Sequence, residues 1–499
     1  MAMPPCCCPR ALEGAAHFRH GVPLGSATGP ARRRHAGGQR TAWRRRADRE
    51  KGTAMFLVLS NAWALLLGMF LLQVGNGMQG TALGIRGGLE GFDPTLMGFV
   101  MSGYFVGFFG GAWLTPKLIR RVGHVRVFAA LASLISAAFI LYAWAVDPWA
   151  WTAMRLIVGL CFSGVYVAAE SWLNNQSTNE TRGQTLSAYL ICQMGGIVLA
   201  QAAIPVFDAG GYELFVLMSV AVSIACAPIL LSASPAPIAG GEQKRLSLVA
   251  LFRISPLGAV GMMCTGAIFA CMFGMTAVFG TAAGLDNATI SATVAALYLG
   301  ALVLQFPIGW ISDRMDRRQL IAGLALMGGA GCGLMLMAGS TTVPLLIAAF
   351  IVGGSANPLY SVLTAHTNDF MELEEMAAAA GGLILLNGVG SAGTPILVGA
   401  LITSFGPIAF PIFMGLIFAV LTVYALYRMT VRPATPVDET LPYAAVLPSS
   451  SAVVYQEYYT EAAEALATDE DAQEDFGDVA PPGGQWNDGD SPERGKSTD

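Results

Sequence analysis

Residues 309–320 read GWISDRMDRRQL, and the six positions from Asp313 to Arg318 hold five charges. The chain on both sides of this segment is almost entirely apolar. Short loops between membrane helices concentrate Arg and Lys in this way, because positive charge keeps a loop on the cytoplasmic side. The segment therefore predicts a turn between two membrane-spanning helices.

The composition supports the same interpretation for the rest of the chain. Of 499 residues, 54% are hydrophobic and 12% are charged, whereas soluble domains carry about a quarter charged residues. A soluble chain of this composition would expose large apolar patches and aggregate. Composition thus favours an integral membrane protein.

Charge is concentrated in the two terminal segments. Residues 1–54 are Arg-rich and hold no apolar run long enough for a signal peptide. They could form a disordered cytosolic arm, an organellar transit peptide or translated upstream sequence ahead of Met55. Residues 431–499 are acidic and contain Pro, Gly and Ser, which predicts a disordered, solvated tail.

Apolar runs of the length needed to cross a bilayer, roughly 20 residues, occur twelve times. These predicted spans 1 to 12 are residues 57–80, 94–116, 125–146, 150–173, 183–206, 212–231, 257–281, 289–311, 318–339, 343–365, 377–402 and 406–429. A longer stretch, 232–256, separates the first six from the last six, and its LSLVALFRI portion predicts a short amphipathic helix. The prediction is an all-α membrane fold with two pseudo-symmetric six-helix bundles, 55–231 and 257–430, joined by a cytoplasmic linker.

The basic residues between spans predict the orientation. Lys and Arg gather in the loops after even-numbered spans, while the opposite loops are nearly free of them, with Arg86 as the exception. Even-numbered loops are therefore expected in the cytoplasm, and both termini with them. A multi-pass membrane protein is the resulting expectation.

Three motifs resemble the major facilitator superfamily over residues 55–430. The quoted loop matches G-x-x-x-D-R-x-G-R-R at Gly309 and Asp313 and at three arginines, with Asp316 in the second glycine position. Span 4 carries R-x-x-x-G from Arg155, and YVAAESWLNNQSTNETRG (166–183) is similar to the signature that joins helices 4 and 5. The ESWLN…RG segment and PKLIRRVGHVR (116–126) resemble in particular the YcaD-like bacterial permeases, and this resemblance implies a location in the bacterial inner membrane.

The resemblance implies that the charged loop is a conformational latch between the two halves. The alternative is that its arginines only set topology, although Asp313 and Asp316 would then weaken the signal. The first copy of the motif, PKLIRRVGHVR (116–126), departs from the pattern because Arg120 replaces the acid. The candidate gating residues are Arg121, Glu170, Arg182, Asp313, Arg314, Arg317 and Arg318.

Two charges on span 4, Arg155 and Glu170, lie on the same helical face, which we expect to line a central path. Arg155 could bind an anionic or polar substrate or could tie span 4 to a neighbouring helix. Glu170 could pair with Arg121 or Arg182 at the inner gate, or could carry a coupled proton.

Polar and aromatic residues in the spans are the substrate-binding candidates, because in the resembling family spans 1, 4, 7 and 10 line the path with 2, 5, 8 and 11 beside them. Each Asn or Gln could instead bond one helix to another. Phe269 and Phe273 in span 7 are interpreted as packing residues. The candidates are Gln73, Asn76, Tyr104, Arg155, Tyr166, Gln193, Tyr298, Gln305, Asn357, Tyr360 and Asn387.

The function predicted is secondary active transport of a small organic solute by alternating access, driven by protons. No Walker A motif, catalytic cluster or metal-spaced histidine pair occurs in the sequence, so an ATP-driven pump and an enzyme are not supported. No cofactor, metal or nucleic-acid partner is expected; the expected partners are the solute, protons and the lipid bilayer, and the chain is expected to be a monomer. Span 5 lacks the glycine-proline motif of many antiporters, which favours uptake or symport. A non-transporting assembly factor or sensor with the same fold is the alternative.

Overall fold

The structure is a computed structural model that describes residues 35–176, 182–231, 247–371, 373–431 and 443. Within these helices, the side chains of 35–61, 174–176, 182–183, 231, 373–374 and 377 are not described. Every regular element in the described ranges is helical.

The described helices correspond to the twelve predicted spans, and the twelve-helix fold is confirmed. Eleven of them are long and apolar enough to cross a membrane, and predicted span 1 lies inside the first helix. Span 7 is one helix from Pro256 to Ala282 with a π-helical turn, Cys271–Met275, in its middle. In order, spans 1 to 12 are His35–Leu89, Pro94–Val122, His124–Trp144, Pro148–Gln176, Arg182–Ala203, Glu213–Leu231, Pro256–Ala282, Asn287–Ser312, Arg317–Ala338, Thr342–Asn368, Leu373–Phe405 and Ala409–Val431.

The structure differs from the sequence prediction mainly in the terminal and linking segments. The first helix includes residues 35–54, for which we predicted disorder, and residues 1–34 lie outside the described ranges. In the linker, Leu248–Ile254 forms the short helix expected there, while 232–246 are not described. Of the predicted acidic tail, Val431 ends span 12 and Tyr443 is described. The bundle boundaries at 55–231 and 257–430 stay predictions.

Carboxylates at the loop ends explain where several spans begin. The side chain of Asp93 accepts a hydrogen bond from the Thr95 amide at the start of span 2. Asp316 does the same for the Arg318 amide at the start of span 9. Such caps satisfy amides that the first helical turn leaves unpaired. The acid in the second glycine position of the charged motif is therefore the N-cap of span 9.

Corresponding glycines bring helices together in both halves. At the crossing of spans 2 and 4, a Cβ on Gly107 would lie 1.9 Å from the Leu156 carbonyl oxygen. At the crossing of spans 8 and 10, a Cβ on Gly300 would lie 2.0 Å from the Phe350 carbonyl oxygen. Only glycine permits these approaches. Because spans 8 and 10 follow spans 2 and 4 by six, the same crossing recurs in the two bundles.

Candidate functional site

A cavity lies between the two bundles, with about 880 Å³ of free space, part of it open to solvent. Both halves line it, with spans 1, 2, 4 and 5 on one side and spans 7, 8, 10 and 11 on the other. These are the spans that the family resemblance implied. Eight of the predicted substrate-binding residues line the cavity: Gln73, Asn76, Tyr104, Tyr166, Gln193, Tyr298, Asn357 and Asn387.

The remaining three candidates lie away from the cavity wall. Arg155 is completely buried between helices, and Tyr360 is buried with its ring 6.2 Å from that of Phe269. Gln305 donates hydrogen bonds to the Ser361 hydroxyl at 2.9 Å and to the Tyr443 hydroxyl at 2.9 Å. For these residues the structure favours roles between helices over direct contact with a solute.

Aromatic residues form much of the cavity wall, which sequence reasoning missed. Phe269 and Phe273 pack against the hydrophobic core, as interpreted from the sequence, and they also line the cavity, which was not expected. Phe273 lies in the π-helical turn, and its ring centroid is 5.4 Å from that of Tyr104. Three further phenylalanines from span 2 line the same wall: Phe105, Phe108 and Phe109. Apolar residues recur at the same helical spacing whether they pack in a core or line a cavity. The sequence pattern alone therefore cannot separate the two locations.

The first half presents a connected set of amide and hydroxyl groups. Asn76 donates to the Tyr166 hydroxyl at 2.9 Å, and Tyr166 donates to Gln73 Oε1 at 2.7 Å. Gln73 in turn donates to Gln193 Oε1 at 3.2 Å. These four residues come from spans 1, 4 and 5, and all are buried. The bonds satisfy much of the polar surface of this cluster without a ligand, as buried polar groups require.

Two asparagines of the second half line the cavity, and they differ in their hydrogen bonding. Asn387 donates to the Met262 carbonyl at 3.3 Å and to Thr265 Oγ1 at 3.4 Å, which ties span 11 to span 7. Asn357 on span 10 is 2% exposed, and its side-chain nitrogen has no hydrogen-bond partner among the described residues. A buried N–H group without a partner is rare in folded proteins.

Arg155 is a buried cation whose described neighbours are not acids. Its Nη2 lies 2.9 Å from Met101 Sδ, and its guanidinium carbon is 5.1 Å from the centre of the Tyr104 ring. Nε and Nη1 have no hydrogen-bond partner among the described residues. Of the two roles open at the level of sequence, these contacts with span 2 favour a tie between spans 4 and 2.

Glu170 is the acidic residue that the described helices bury most fully, at 1% exposed. The Tyr189 hydroxyl of span 5 donates to its Oε1 at 3.3 Å. Arg121 is exposed at the end of span 2 and does not form the expected pair with Glu170. The side chain of Arg182, the other expected partner, lies outside the described residues.

The charged loop between spans 8 and 9 forms pairs within its own half. Arg318 bonds to Asp316 at 2.8 Å, and Arg317 pairs with Asp369 at the end of span 10, with both side chains 2% exposed. Arg314 stacks over Trp310 at 4.2 Å. Burial acts to raise the pKa of Asp316, but the hydrogen bonds and charge of Arg318 outweigh it and hold that pKa below its usual value.

Asp313 bonds to a residue of the acidic tail. Its Oδ1 accepts a hydrogen bond from the Tyr443 backbone N–H at 2.8 Å. The Tyr443 ring occupies the space beside Gly309, where a Cβ would lie 2.6 Å from a ring carbon. The Tyr443 hydroxyl accepts a hydrogen bond from Gln305. Tyr443 therefore contacts Gly309 and Asp313 of the charged motif and the predicted site residue Gln305.

The two halves meet closely at the surface where span 2 begins and span 11 ends, here called the Asp93 side. Thr403 of span 11 donates to Asp93 Oδ1 at 2.9 Å, and its hydroxyl lies 3.0 Å from that of Thr95. A Cβ on Gly399 would lie 2.3 Å from the Pro94 carbonyl oxygen. These backbones are in contact, so this side is closed.

The surface opposite the closed contact, where span 9 begins at Arg317, is here called the Arg317 side. Span 2 runs from the Asp93 side, and its lining residues end at Ala112. Span 11 runs back from the Arg317 side, and its lining residues begin at Ile384. The cavity therefore occupies the middle of the molecule, below the closed contact at the Asp93 side.

Comparisons with known proteins agree with this architecture. The family model described as Major Facilitator Superfamily matches residues 65–286 and 258–454. Similar curated proteins include an uncharacterized MFS-type transporter of Enterobacter sp. (strain 638), 26% identical over 68% of this chain and 88% of the relative. The uncharacterized MFS-type transporter YcaD of Escherichia fergusonii is 26% identical over 66% of this chain and 85% of that protein.

Solved structures show the same fold at low sequence identity. The nucleoside transporter NupG superposes with a TM-score of 0.61 at 15% identity, covering 74% of this chain and 99% of that chain. A bacterial homologue of the human lysosomal transporter Spinster, in an inward-facing and unoccupied conformation, superposes with a TM-score of 0.59 at 13% identity. That match covers 81% of this chain and 98% of the other.

Proposed function

The chain belongs to the major facilitator superfamily, in its YcaD-like group, and we propose that it transports a small organic solute across the bacterial inner membrane by proton-coupled alternating access. The observation that carries the proposal is the cavity between the two bundles, closed at the Asp93 side and lined by residues of both halves. A solute bound there would contact both bundles, so relative movement of the bundles could pass it from one side to the other.

The charge distribution supports placing the Arg317 side in the cytoplasm. Three arginines lie at that surface: Arg314, Arg317 and Arg318. Arg253 lies within the linker 232–256, which was predicted to be cytoplasmic. Loops rich in Lys and Arg stay on the cytoplasmic side of the membrane. With this orientation the cavity faces the cytoplasm and the Asp93 side is the closed outer gate.

Glu170 is the proposed proton-carrying residue. A carboxylate buried within a membrane helix is costly when charged, and such residues commonly take part in proton movement. Glu170 is buried and receives a hydrogen bond from Tyr189, so the gain or loss of a proton would change a contact between spans 4 and 5. Proton uptake could in this way bias the packing of the first bundle.

The test is proton flux in liposomes that contain the purified full-length chain. A pH-sensitive dye inside the liposomes reports whether addition of an external solute carries protons inward, with a panel of uncharged and charged metabolites as solutes. We expect at least one solute to acidify the lumen, and Glu170→Gln to remove acidification while solute binding persists. Solute flux that is equal in both proteins and independent of a pH gradient would contradict proton coupling.

A further inference from the structure

We infer that the transported solute is an uncharged molecule with a flat aromatic ring system and a carbonyl-type acceptor, and that the Asn357 side-chain amide donates a hydrogen bond to this acceptor. The inference rests on the proposed function, because it assigns the chemical class of the molecule that the central cavity accepts. Three observations support it: the charge of the wall, the rings of the wall and the unpaired Asn357 donor.

The wall carries no Asp, Glu, Lys, Arg or His among the residues that line it in the described part of the chain. A solute with a net charge would leave water without gaining a counter-charge, which is strongly unfavourable in an apolar site. The Arg155 guanidinium lies over the ring of Tyr104, which lines the cavity. Its positive charge therefore also disfavours binding of a cationic solute. An uncharged solute has neither cost.

The wall is rich in rings that stand close to one another. The ring centroids of Tyr104 and Phe273 are 5.4 Å apart, and those of Tyr104 and Phe108 are 6.0 Å apart. Aromatic pairs favour such separations in stacked or edge-to-face arrangements. A flat ring that entered the cavity could extend this cluster, whereas a compact aliphatic solute would bury less of its surface against the rings.

The hydrogen-bonding groups of the two halves differ in what they require of a solute. Gln73, Asn76 and Tyr166 bond to one another, so the first half is largely satisfied without a ligand. Asn357 is one of the residues that line the cavity, and its buried side-chain nitrogen has no hydrogen-bond partner among the described residues. An unpaired buried donor is unfavourable until it meets an acceptor, so a carbonyl oxygen at this position would add both affinity and orientation.

Binding of matched naphthalene probes tests this inference. 2-Acetylnaphthalene has the ring and the acceptor, and 2-isopropenylnaphthalene has the same shape without the carbonyl oxygen. 2-Naphthoate and 2-naphthylmethylammonium supply an anion and a cation. Equilibrium dialysis of the full-length protein in detergent, against protein-free micelles of the same detergent, gives the dissociation constants free of micelle partitioning.

We expect 2-acetylnaphthalene to bind at least tenfold more tightly than 2-isopropenylnaphthalene and than either charged probe. In Asn357→Leu the ratio of the two uncharged probes should fall to about one, because the donor is gone. Thr364→Val on the same helix should keep the ratio, since Thr364 bonds to the Tyr360 carbonyl and does not line the cavity. Asn357→Ala provides the same comparison if the leucine variant is poorly folded.

Two results would overturn the inference: tighter binding of a charged probe, or a ratio that is unchanged in both Asn357 variants. These results are distinct from failure of the proposed function. Selective binding without any solute flux would refute transport and keep the ligand class, while flux of charged solutes alone would keep transport and refute the ligand class.

Discussion

Arg155 is completely buried, and two of its nitrogen atoms have no hydrogen-bond partner among the described residues. A charge at membrane depth costs about 2.5–3.5 kcal/mol on insertion scales. Replacing a buried ionic group by an apolar one of similar size often stabilises a protein by about 1–4 kcal/mol. We therefore expect Arg155→Met to raise the thermal unfolding midpoint in detergent and to slow transport. A lowered midpoint would show that Arg155 supports the fold.

Tyr166 is the central member of the first-half cluster, because its hydroxyl accepts from Asn76 and donates to Gln73. Tyr166→Phe keeps the ring and leaves those two buried groups short of a partner. We expect the free energy of unfolding to fall by about 1–3 kcal/mol. Thermal unfolding in one detergent measures this, with Tyr427→Phe, an exposed tyrosine on span 12, as the control. An equal midpoint for Tyr166→Phe and the control would mean that the cluster adds nothing to stability.

Single residues show what the sequence could and could not predict about the site. Gln73, Asn76 and Gln193 were found because an amide in an apolar span requires a partner or a cavity. Phe105 and Phe273 were missed because an apolar side chain has no such requirement. Asp369, which pairs with Arg317, stood in an acidic loop whose folding could not be judged from charge alone.

At the scale of helices, closure of the Asp93 side depends on glycine where spans 2 and 11 meet. Any side chain at Gly399 would collide with the Pro94 carbonyl oxygen, so Gly399→Val should prevent closure of the Asp93 side. Gly393→Val is the matched control in the same span, since a Cβ at Gly393 meets nothing within 4 Å.

Two exposed loop residues, one in each half, serve as labelling sites: Tyr212→Cys and Ser340→Cys. Spin labels on these cysteines, in a background without other reactive cysteines, report the distance between the two halves at this gate. We expect Gly399→Val to add a longer-distance population that Gly393→Val lacks. Identical distance distributions in the two variants would show that close packing of spans 2 and 11 does not control the gate.

Asp93 should add no pH dependence to this gate over the physiological range. Burial acts to raise the pKa of Asp93, but hydrogen bonds from Thr95 and Thr403 outweigh it and leave that pKa below its ordinary 3.8. A lowered pKa means that the contribution of Asp93 to closure is present above about pH 3.8 and is lost as the pH falls through the lower folded value. Any change in the spin-label distances from about pH 5 to 8 should thus persist in Asp93→Asn. A transition in that range that disappears in Asp93→Asn would refute this assignment.

The elements themselves were largely predictable, because runs of about 20 apolar residues have few alternatives to a membrane helix. The π-helical turn at Cys271–Met275 was not, since it depends on how span 7 packs rather than on local composition. The contact between Asp313 and Tyr443 was equally hidden, because 130 residues separate the two in the chain.

For the whole molecule, the two halves repeat a common plan with different chemistry. The glycine crossing of spans 2 and 4 recurs at spans 8 and 10, but the bonded amide cluster has no equivalent around Asn357. The sequence predicted the repeat from the two charged loops. It could not predict which half would hold the unpaired donor, because that depends on side-chain positions across four helices.

The most direct test of alternating access is the reactivity of one cavity residue from the two sides of the membrane. Met194→Cys, at a position that lines the cavity, is treated with a membrane-impermeant thiol reagent in sealed vesicles of each orientation. We predict fast labelling from the cytoplasmic side and slow labelling from outside, with Gly399→Val reversing the order. Equal rates from both sides, or labelling from one side that Gly399→Val leaves unchanged, would contradict the account.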